Sequence, residues 1–463
     1  MSKRPTSFLG TPATAPGPLG PDMLKAFGTI RRNPLEYLHQ AWLAHGDVVQ
    51  FPVPRPPSYL VNSPEGTRHV LVDNARNYGK STIQYRALSL VTGEGLLTSD
   101  GDTWKKQRRV LQPAFHHTAL ENIGSHVRQA SARVASQWAD LSPGTVIDID
   151  SFMMGAALEV VAASLMSTDL TGRSSDIAAA TLDALDVVVA RARVPITPPA
   201  WIPTPGNRVL TKSVARLDEA VADMVAARRE DAGGSPTEDL LGMLLSVRDE
   251  TGAALSITQI RDQLVTFIVA GHETVASALG WAWGLIADHP HVGDRIAAEA
   301  DTVAPGRPIE FVDYAELTYT RAVIDETLRL YPPAWLVTRS ALGPDEIDGV
   351  HVPAGALIIM SPWLLHRHPR LWDRPEEFDP ERFLSDVDRF SHIPFGAGPR
   401  LCIGRDFSYV ESVMIVAELA RRFRVSFPPG VSLPVGEPLV TIRPHGGMPV
   451  IVEPRWPLCT YRN

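Results

Sequence analysis

Cys402, in the stretch "FGAGPRLCIG" at residues 395–404, is the clearest candidate for a chemically reactive residue in this chain. A helical pattern runs from about Gly404 through Arg422. The cysteine therefore precedes a helix N-terminus, whose dipole and free N–H groups favour a thiolate over a thiol. A thiolate is a nucleophile or a metal ligand. The alternative is an inert buried thiol without a chemical role. Structural zinc is disfavoured because the chain has no CxxC pair.

A second candidate is "AGHET", residues 270–274, in the middle of a long apolar segment. Gly271 lacks side-chain bulk, while Glu273 and Thr274 supply a carboxylate and a hydroxyl. This combination predicts a site in the middle of the helix with space for a small group and with side chains that can supply protons to it. The alternative is a helix packing contact beside an exposed glutamate, because small residues in helices commonly serve packing.

Two charged residues in "VIDETLRLYPP" have the spacing of a helical ion pair. Glu326 and Arg329 are three residues apart, so their side chains share one helix face. Arg382, in "FDPERF", is a candidate third member of a buried charge network. The alternative is an exposed pair that contributes little to stability.

The helix predicted from "DGDTWKKQRRVLQ" carries Trp104 and Arg108 on one face, at i and i+4. We interpret these two side chains as turning inward to an anion, while Lys105, Lys106 and Arg109 stay outside. A fully solvated basic face is the alternative interpretation.

The element that carries "AGHET" has clear boundaries. Ser256 and Gln259 form a capping box, and the helical pattern continues to His289 before a proline. The helix would have about 33 residues and a length of roughly 50 Å. Its apolar run is long enough to span a bilayer, but His272 and Glu273 at its centre favour a buried helix instead.

The fold class follows from where helical and strand patterns fall. Helical patterns fill residues 100–330, and strand-like runs occur near both ends, in "GDVVQFPV", "SYLVN", "GVHVPAGALIIMSP" and "PVIVEP". We therefore predict a mainly α protein with a smaller β part (α+β). Residues 21–463 form one domain, and residues 1–20 form an irregular extension rich in proline and glycine.

Composition excludes several classes of protein. The net charge of −8 without a basic tail disfavours nucleic acid as a partner. The only two cysteines, Cys402 and Cys459, cannot build a disulfide framework. No signal peptide or membrane anchor is recognisable in the first 20 residues. We expect a cytoplasmic protein.

These motifs together resemble the cytochrome P450 family. The haem-binding signature of that family is matched at every fixed position, by Phe395, Gly398, Arg400, Cys402 and Gly404. "AGHET" is similar to the family's oxygen-binding motif, "ETLR" to its Glu-x-x-Arg and "PERF" to its proline–glutamate–arginine–phenylalanine segment. Trp104 with Arg108 resembles the Trp-x-x-x-Arg of its third major helix. The motifs occur in family order over residues 25–455.

The resemblance implies haem b, held between the long helix and the cysteine loop, with Cys402 as the thiolate ligand of its iron. It implies further cofactor-binding residues, of which Arg339 and His392 are the less specific: Trp104, Arg108, Gly271, Arg339, His392, Phe395 and Arg400. Glu326, Arg329 and Arg382 would support the cysteine loop structurally.

The implied activity is insertion of one oxygen atom from O2 into an organic substrate by hydroxylation or epoxidation. Glu273 and Thr274 would be catalytic, delivering protons to O2, and Gly271 would leave space for it. A haem sensor would not need this acid–threonine pair, and peroxygenases and isomerases of the family usually lack it. These remain the alternatives.

The implied partners supply electrons. The chain ends near residue 463 without a flavin-binding or iron–sulfur segment. We therefore expect a monomer served by a separate ferredoxin or flavodoxin and its NAD(P)H-dependent reductase. Lys105, Lys106, Arg109 and Arg405 are candidates for the docking patch.

Segments that resemble the family's substrate-contact regions predict a medium-sized apolar substrate, such as a terpenoid, fatty acyl or polyketide-like compound. The predicted pocket residues are Leu88, Leu90, Val91, Phe267, Ala270, Trp335, Leu336, Val337 and Met448. Core packing is the alternative for each of them. Arg86, Arg191 and Arg193 qualify the prediction, because one of them could pair with a substrate carboxylate.

Overall fold

The computed structural model describes residues 13–53, 56–168, 174–193, 198–230, 239–248, 254–388 and 390–455. Most of the predicted extension at residues 1–20 and the whole C-terminal tail with Cys459 lie outside these ranges. The part of the extension that is described adds to the first strand. Gln50 N donates to the Pro16 carbonyl over 2.8 Å, and Thr14 N donates to Gln50 Oε1 over 2.8 Å.

Helices make up most of the described residues, in agreement with the predicted fold class. Their bounds are α1 (Gly20–Lys25), α2 (Phe27–Arg32), α3 (Pro34–His45), α4 (Pro64–Arg68), α5 (Ile83–Thr92), α6 (Gly101–Leu111), α7 (His117–Ala139), α8 (Ile149–Met166), α9 (Ser174–Ala192), α10 (Pro205–Glu230), α11 (Leu240–Ser246), α12 (Ile257–Asp288), α13 (Pro290–Val303), α14 (Thr318–Leu330), α15 (Pro362–Leu365) and α16 (Arg405–Arg422).

The strands are short and form four small sheets among the described residues. Their bounds are β1 (Val48–Phe51), β2 (Ser58–Val61), β3 (Tyr78–Gly79), β4 (Val146–Asp148), β5 (Val337–Ala341), β6 (Asp345–Ile347), β7 (Val350–Val352), β8 (Leu357–Met360), β9 (Phe423–Ser426), β10 (Gly436–Pro438), β11 (Ile442–Pro444) and β12 (Pro449–Pro454).

The largest sheet has the order β1-β2-β8-β5-β3, with β2 and β8 parallel and the other pairs antiparallel. It joins residues 48–79 to residues 337–360, which confirms the prediction that both ends of the chain contribute strands. Because β3 pairs with β5, the sheet brings Lys80, just after β3, close to Arg339 on β5.

The central helix α12 confirms the predicted boundaries. Ser256 is the N-cap, its side chain and that of Gln259 form the capping box, and His289 is the C-cap. Both α12 and α8 are long and apolar enough to cross a membrane by length and composition, but 83% and 67% of the respective windows lie inside the protein. The two helices pack on each other as core helices.

The main hydrophobic core surrounds α12 and includes α7, α8, α14 and α16. Trp138 on α7 is fully buried, with its ring centroid 5.6 Å from that of Trp283 and 5.5 Å from that of Phe423. A second, smaller core lies against the five-stranded sheet. The cysteine loop runs between these cores, because residues 398–400 pack on the segment at residues 69–73.

Candidate active site

The loop before α16 has a conformation that depends on glycine. Gly398 has φ +68°, and a Cβ there would lie 2.0 Å from the Leu71 carbonyl oxygen. The loop is closed by a hydrogen bond from Cys402 N to the Phe395 carbonyl over 3.0 Å. The backbone N–H of Gly404 donates to the Cys402 sulfur. The spacing of the signature is therefore the spacing of one tight turn that presents a thiol ahead of a helix.

Burial raises the pKa of the Cys402 thiol. The Gly404 N–H and the cations of Arg108 and Arg405 act in the opposite direction without offsetting burial. The helix start therefore favours the thiolate, as predicted, but burial has the larger effect on the pKa of the side chain by itself. A coordinating metal ion deprotonates a thiol outright, so this direction is compatible with a metal ligand.

A cavity of about 380 Å³ lies between the cysteine loop and the middle of α12. Cys402 and Phe395 lie on one side of it, and Ala270 and Thr274 belong to the α12 side. We call this the inner cavity. Apolar side chains form most of the remaining wall, including Phe267, whose ring stacks on Phe115 with centroids 5.3 Å apart.

Glu273 and Thr274 both border the inner cavity. The Thr274 hydroxyl donates to the Ala270 carbonyl one turn earlier, over 2.7 Å. Glu273 is 3% exposed; its Oε1 accepts from Thr441 Oγ1 over 2.8 Å, and its Oε2 is 3.3 Å from Arg443 Nη1. The carboxylate is therefore held in place, and the alternative of an exposed glutamate is wrong.

Gly271 borders the cavity and is also required by packing. A Cβ on this residue would lie 2.8 Å from Cγ2 of Val161 on α8. The structure thus supports the packing interpretation of this glycine, because α8 can approach α12 closely only without a side chain here. The missing side chain of Gly271 thus both leaves space beside Thr274 and allows the close contact between α8 and α12.

Four cations also line the inner cavity: Lys80, Arg108, Arg339 and Arg400. The Arg400 guanidinium pairs with Asp100 and lies 3.7 Å from the ring centroid of Trp104. Arg108 Nη1 donates to the Leu401 carbonyl over 3.0 Å. Among the described residues, Asp100 is the only carboxylate within ion-pair distance of any of the four.

The charge of this cluster creates a place for an anion. Burial lowers the pKa of Lys80 well below its ordinary value, and the neighbouring Arg339 and Arg400 lower it further. Burial also lowers the pKa of Arg400 to about 10. Cations that disfavour one another to this extent are stabilised by an anionic ligand. The two propionates of a haem fit this requirement, and the thiol and the apolar walls fit its iron and its ring.

Lys80 and Tyr85 are cavity residues that sequence reasoning missed. Lys80 Nζ donates to the Leu97 carbonyl over 2.7 Å and lies 4.7 Å from the Tyr85 ring centroid. The Tyr85 hydroxyl is 3.5 Å from Arg339 Nη1. The only local signal was a lysine in "YGKST" without an acidic neighbour, which is too common a pattern to indicate a site.

The predicted charge network is assembled and fully buried. Arg329 Nε is 2.6 Å from Glu326 Oε2, and Arg329 Nη2 is 2.8 Å from Glu326 Oε1. The guanidinium also donates to the carbonyls of His366, Pro375 and Glu377. Arg382 Nε lies 3.5 Å from Glu326 Oε1. Every donor of Arg329 thus has an acceptor, which is the condition for a buried ion pair to be stable.

The prediction that His392 holds the cofactor is wrong. Its ring lies 4.8 Å from that of Phe383 and 5.1 Å from that of His366, outside the inner cavity. Burial, with the Arg329 charge nearby, lowers the pKa of His392 to about 3. The side chain turns away because the segment before the cysteine loop packs its ring into the charge network. Arg339, the other less specific residue, does border the cavity.

The predicted substrate residues divide into three groups. The inner cavity is lined by Leu88, Phe267, Ala270, Leu336 and Val337. Trp335 borders a neighbouring cavity, and its Nε1 donates to the Leu439 carbonyl over 2.9 Å. The prediction is wrong for Leu90, Val91 and Met448, none of which lines either cavity. Val91 and Met448 are fully buried in the core, and Met448 packs against Gly284.

A thiol at a helix start, a buried acid–threonine pair and an anion site around one apolar cavity define the class of a haem-thiolate oxygenase. The family model for cytochrome P450 matches residues 16–448. Cyclooctat-9-en-7-ol 5-monooxygenase of Streptomyces melanosporofaciens is 37% identical over 460 residues, covering 98% of each chain. Cyclooctatin synthase of that organism is 35% identical over 412 residues, covering 87% of this chain and 88% of the relative.

Pentalenene oxygenase of Streptomyces avermitilis is 35% identical over 423 residues, covering 90% of this chain and 92% of the relative. The chain therefore belongs to the cytochrome P450 family. It is a haem-thiolate monooxygenase that uses haem b and O2, depends on redox partners and binds apolar substrates.

Proposed function

We propose that this monooxygenase inserts oxygen into a terpenoid by hydroxylation or epoxidation. The observation that carries the proposal is the inner cavity, which places an apolar wall opposite Cys402 and beside Glu273 and Thr274. Apolar walls bind ligands mainly by removing their surface from water. The names of the three relatives support a terpenoid over a fatty acyl or polyketide compound.

Haem b, when bound, supplies the redox chemistry that reduces O2 and oxidises the substrate. Cys402 would bind its iron, and Lys80, Arg108, Arg339 and Arg400 would hold its propionates. Trp104 would position Arg400 through the contact of its ring with the guanidinium. Arg329 and Glu326 would act indirectly, by holding in place the segment that precedes the cysteine loop.

Thr274 and Glu273 would control protons at the α12 side of the cavity. The Thr274 hydroxyl donates to the Ala270 carbonyl, so its oxygen lone pairs remain available to a group in the cavity. Glu273 is connected through Arg443 to Asp150, which forms a charged path from α12 toward α8. A carboxylate and a hydroxyl in sequence are suited to passing protons inward while apolar walls exclude bulk water.

The test is isotope incorporation from O2 labelled with the heavy oxygen isotope. The wild-type protein, with a working ferredoxin and reductase, should place one labelled atom in a sesquiterpene or diterpene product. Thr274→Ala should still bind haem and consume NAD(P)H, with product per NAD(P)H lower by at least about tenfold because protons are no longer delivered in step. The lost reducing equivalents should appear as peroxide or water.

Thr302→Ala is the matched control, because the Thr302 hydroxyl makes the same bond to the carbonyl four residues earlier, over 2.8 Å, on the exposed face of α13. It should leave coupling unchanged. Fully coupled turnover by Thr274→Ala would contradict the role of Thr274. Label absent from every product of the wild-type protein would contradict the proposed function itself.

We propose further that the protein is a cytoplasmic monomer that receives electrons from a ferredoxin docked beside the cysteine loop. The bond from Arg108 to the Leu401 carbonyl supports this location, because it holds α6 against the loop. Lys105 and Arg109 are exposed on the same helix. Lys105 pairs with Asp102 and Arg405 with Asp406 at the surface, and such exposed pairs are weak enough to rearrange for a partner.

Reversing charge at this surface should slow electron transfer. With Lys105→Glu and Arg109→Glu together, reduction by an acidic ferredoxin at low salt should be about tenfold slower, since steering depends on complementary charge. The difference should shrink at high salt. Arg208→Glu with Lys212→Glu on α10 is the charge-matched control and should reduce at the wild-type rate. Equal rates for all three proteins would exclude docking on α6.

A further inference from the structure

A second cavity, of about 370 Å³, adjoins the inner cavity, and we call it the outer cavity. The two cavities share the wall residues Tyr85, Leu88, Leu336 and Val440. The other lining residues of the outer cavity include members of α2, α3, the end of α9 and the loop after β10. The side chains of Leu88 and Leu336 therefore lie where a ligand that occupied both cavities would have to pass.

The outer cavity is largely apolar and has one cation in its wall, Arg193, next to the end of α9. The guanidinium donates to the Arg31 carbonyl over 3.0 Å and to the Pro438 carbonyl. No carboxylate of the described residues lies within ion-pair distance of it. Arginine has five N–H donors, so donors remain for a further acceptor.

The charges around Arg193 decide which acceptor fits. Burial lowers the pKa of Arg193, while Glu437 and Asp186 raise it from beyond ion-pair distance. One cation is thus already opposed by two carboxylates. An added carboxylate would be repelled by Glu437 and Asp186, whereas a neutral hydroxyl or keto oxygen would accept a hydrogen bond without that repulsion.

The same wall contains a second polar side chain, Tyr37. Tyr37 contributes its ring to the outer cavity, and its buried hydroxyl has no hydrogen-bond partner among the described residues. Burial, with the charge of Asp22 nearby, raises the pKa of Tyr37 to about 12, so the hydroxyl stays neutral and keeps its proton. Buried donors without acceptors are uncommon and indicate a missing ligand or water.

We propose that the outer cavity is a specificity site for a neutral oxygen function of the substrate, which accepts a hydrogen bond from Arg193. The substrate is then an already oxygenated terpenoid, whose apolar skeleton reaches between Leu88 and Leu336 into the inner cavity. This inference rests on the proposed terpenoid function and adds the polar end of the substrate. It also places this enzyme after a reaction that introduces a hydroxyl or keto group.

The test compares farnesene, farnesol and farnesoic acid, which share one skeleton and differ at one end. Dissociation constants are measured by equilibrium dialysis and by the Soret shift of the haem-loaded protein. The wild-type protein should bind farnesol more tightly than either other compound. Arg193→Met should weaken farnesol binding about tenfold, the value of a hydrogen bond from a charged donor, and leave farnesene binding unchanged.

Arg191→Met is the matched control, because Arg191 lies two residues earlier on α9 and donates instead to Asn207 Oδ1 over 2.8 Å. It should bind all three compounds as the wild type does. If Arg193→Met fails to fold, Val53→Trp, which fills the outer cavity from a half-buried position, should remove the preference for farnesol equally well.

Three results would overturn the inference: equal weakening of farnesene and farnesol in Arg193→Met, no change for either, or wild-type binding of farnesene or farnesoic acid at least as tight as that of farnesol. The CO-difference spectrum of the same preparations keeps this outcome separate from the proposed function. A protein with the thiolate-type band and no preference for farnesol is still a monooxygenase, with a different specificity.

Discussion

Cys402→Ala should abolish the strongly red-shifted Soret band that the reduced wild-type protein shows under CO. That band depends on a thiolate bound to iron, and Cys402 is the only cysteine among the described residues that line the inner cavity. The apolar walls and the four cations are unaffected by the substitution, so some haem should still bind. Monooxygenase activity should be lost together with the band.

The matched control is Cys459→Ala, which removes the only other cysteine of the chain. This variant should keep the band and the activity. Cys402→Ser tests the chemistry of the sulfur more narrowly, because it preserves size and replaces a soft ligand by a hard one. Retention of the red-shifted band in Cys402→Ala would show that another residue binds the iron.

Arg329→Leu should destabilise the protein by about 3–5 kcal/mol, the cost of leaving one buried charge without its partner. Glu326 is 0% exposed and would keep only the Asp379 N–H and the more distant Arg382 as partners. The carbonyls of His366, Pro375 and Glu377 would also lose their donor. A loss of this size is a large fraction of the stability of an ordinary domain.

The measurement is the midpoint of thermal or denaturant unfolding, followed by circular dichroism. Arg424→Leu is the control, since Arg424 forms an exposed pair with Asp294 at 3.3 Å and such pairs contribute about 1 kcal/mol or less. Haem content should fall in Arg329→Leu and not in Arg424→Leu. Equal unfolding midpoints in the two variants would mean that the buried network does not support the fold.

Local signals were sufficient for the elements that carry the chemistry. A capping box and a following proline determine the ends of α12 to within a residue, and glycines with an adjacent helical pattern identify the cysteine loop and α16. Spacing of three or four residues on one predicted helix was enough to pair side chains such as Glu326 and Arg329. These features depend on neighbours in the chain, so a pattern of residues records them.

Contacts between distant segments left no such record. Glu273 is held by Thr441, 168 residues later, and Arg443 reaches Asp150, 293 residues earlier. Lys80 joins the cation cluster only because β3 pairs with β5. Leu88 faces the inner cavity, whereas Val91, on the same helix, is buried in the core.

The sequence by itself determined the class of fold and the helix that presents the acid–threonine pair, because periodicity, capping and turn formation act over a few residues. The haem-thiolate chemistry followed from the resemblance of the motifs to the cytochrome P450 family. Only the tertiary structure decided which cations surround the cavity, that His392 points away from it, and that Gly271 is needed by α8. Those outcomes depend on how separate elements pack, where burial and charge are shared among residues that the chain keeps far apart.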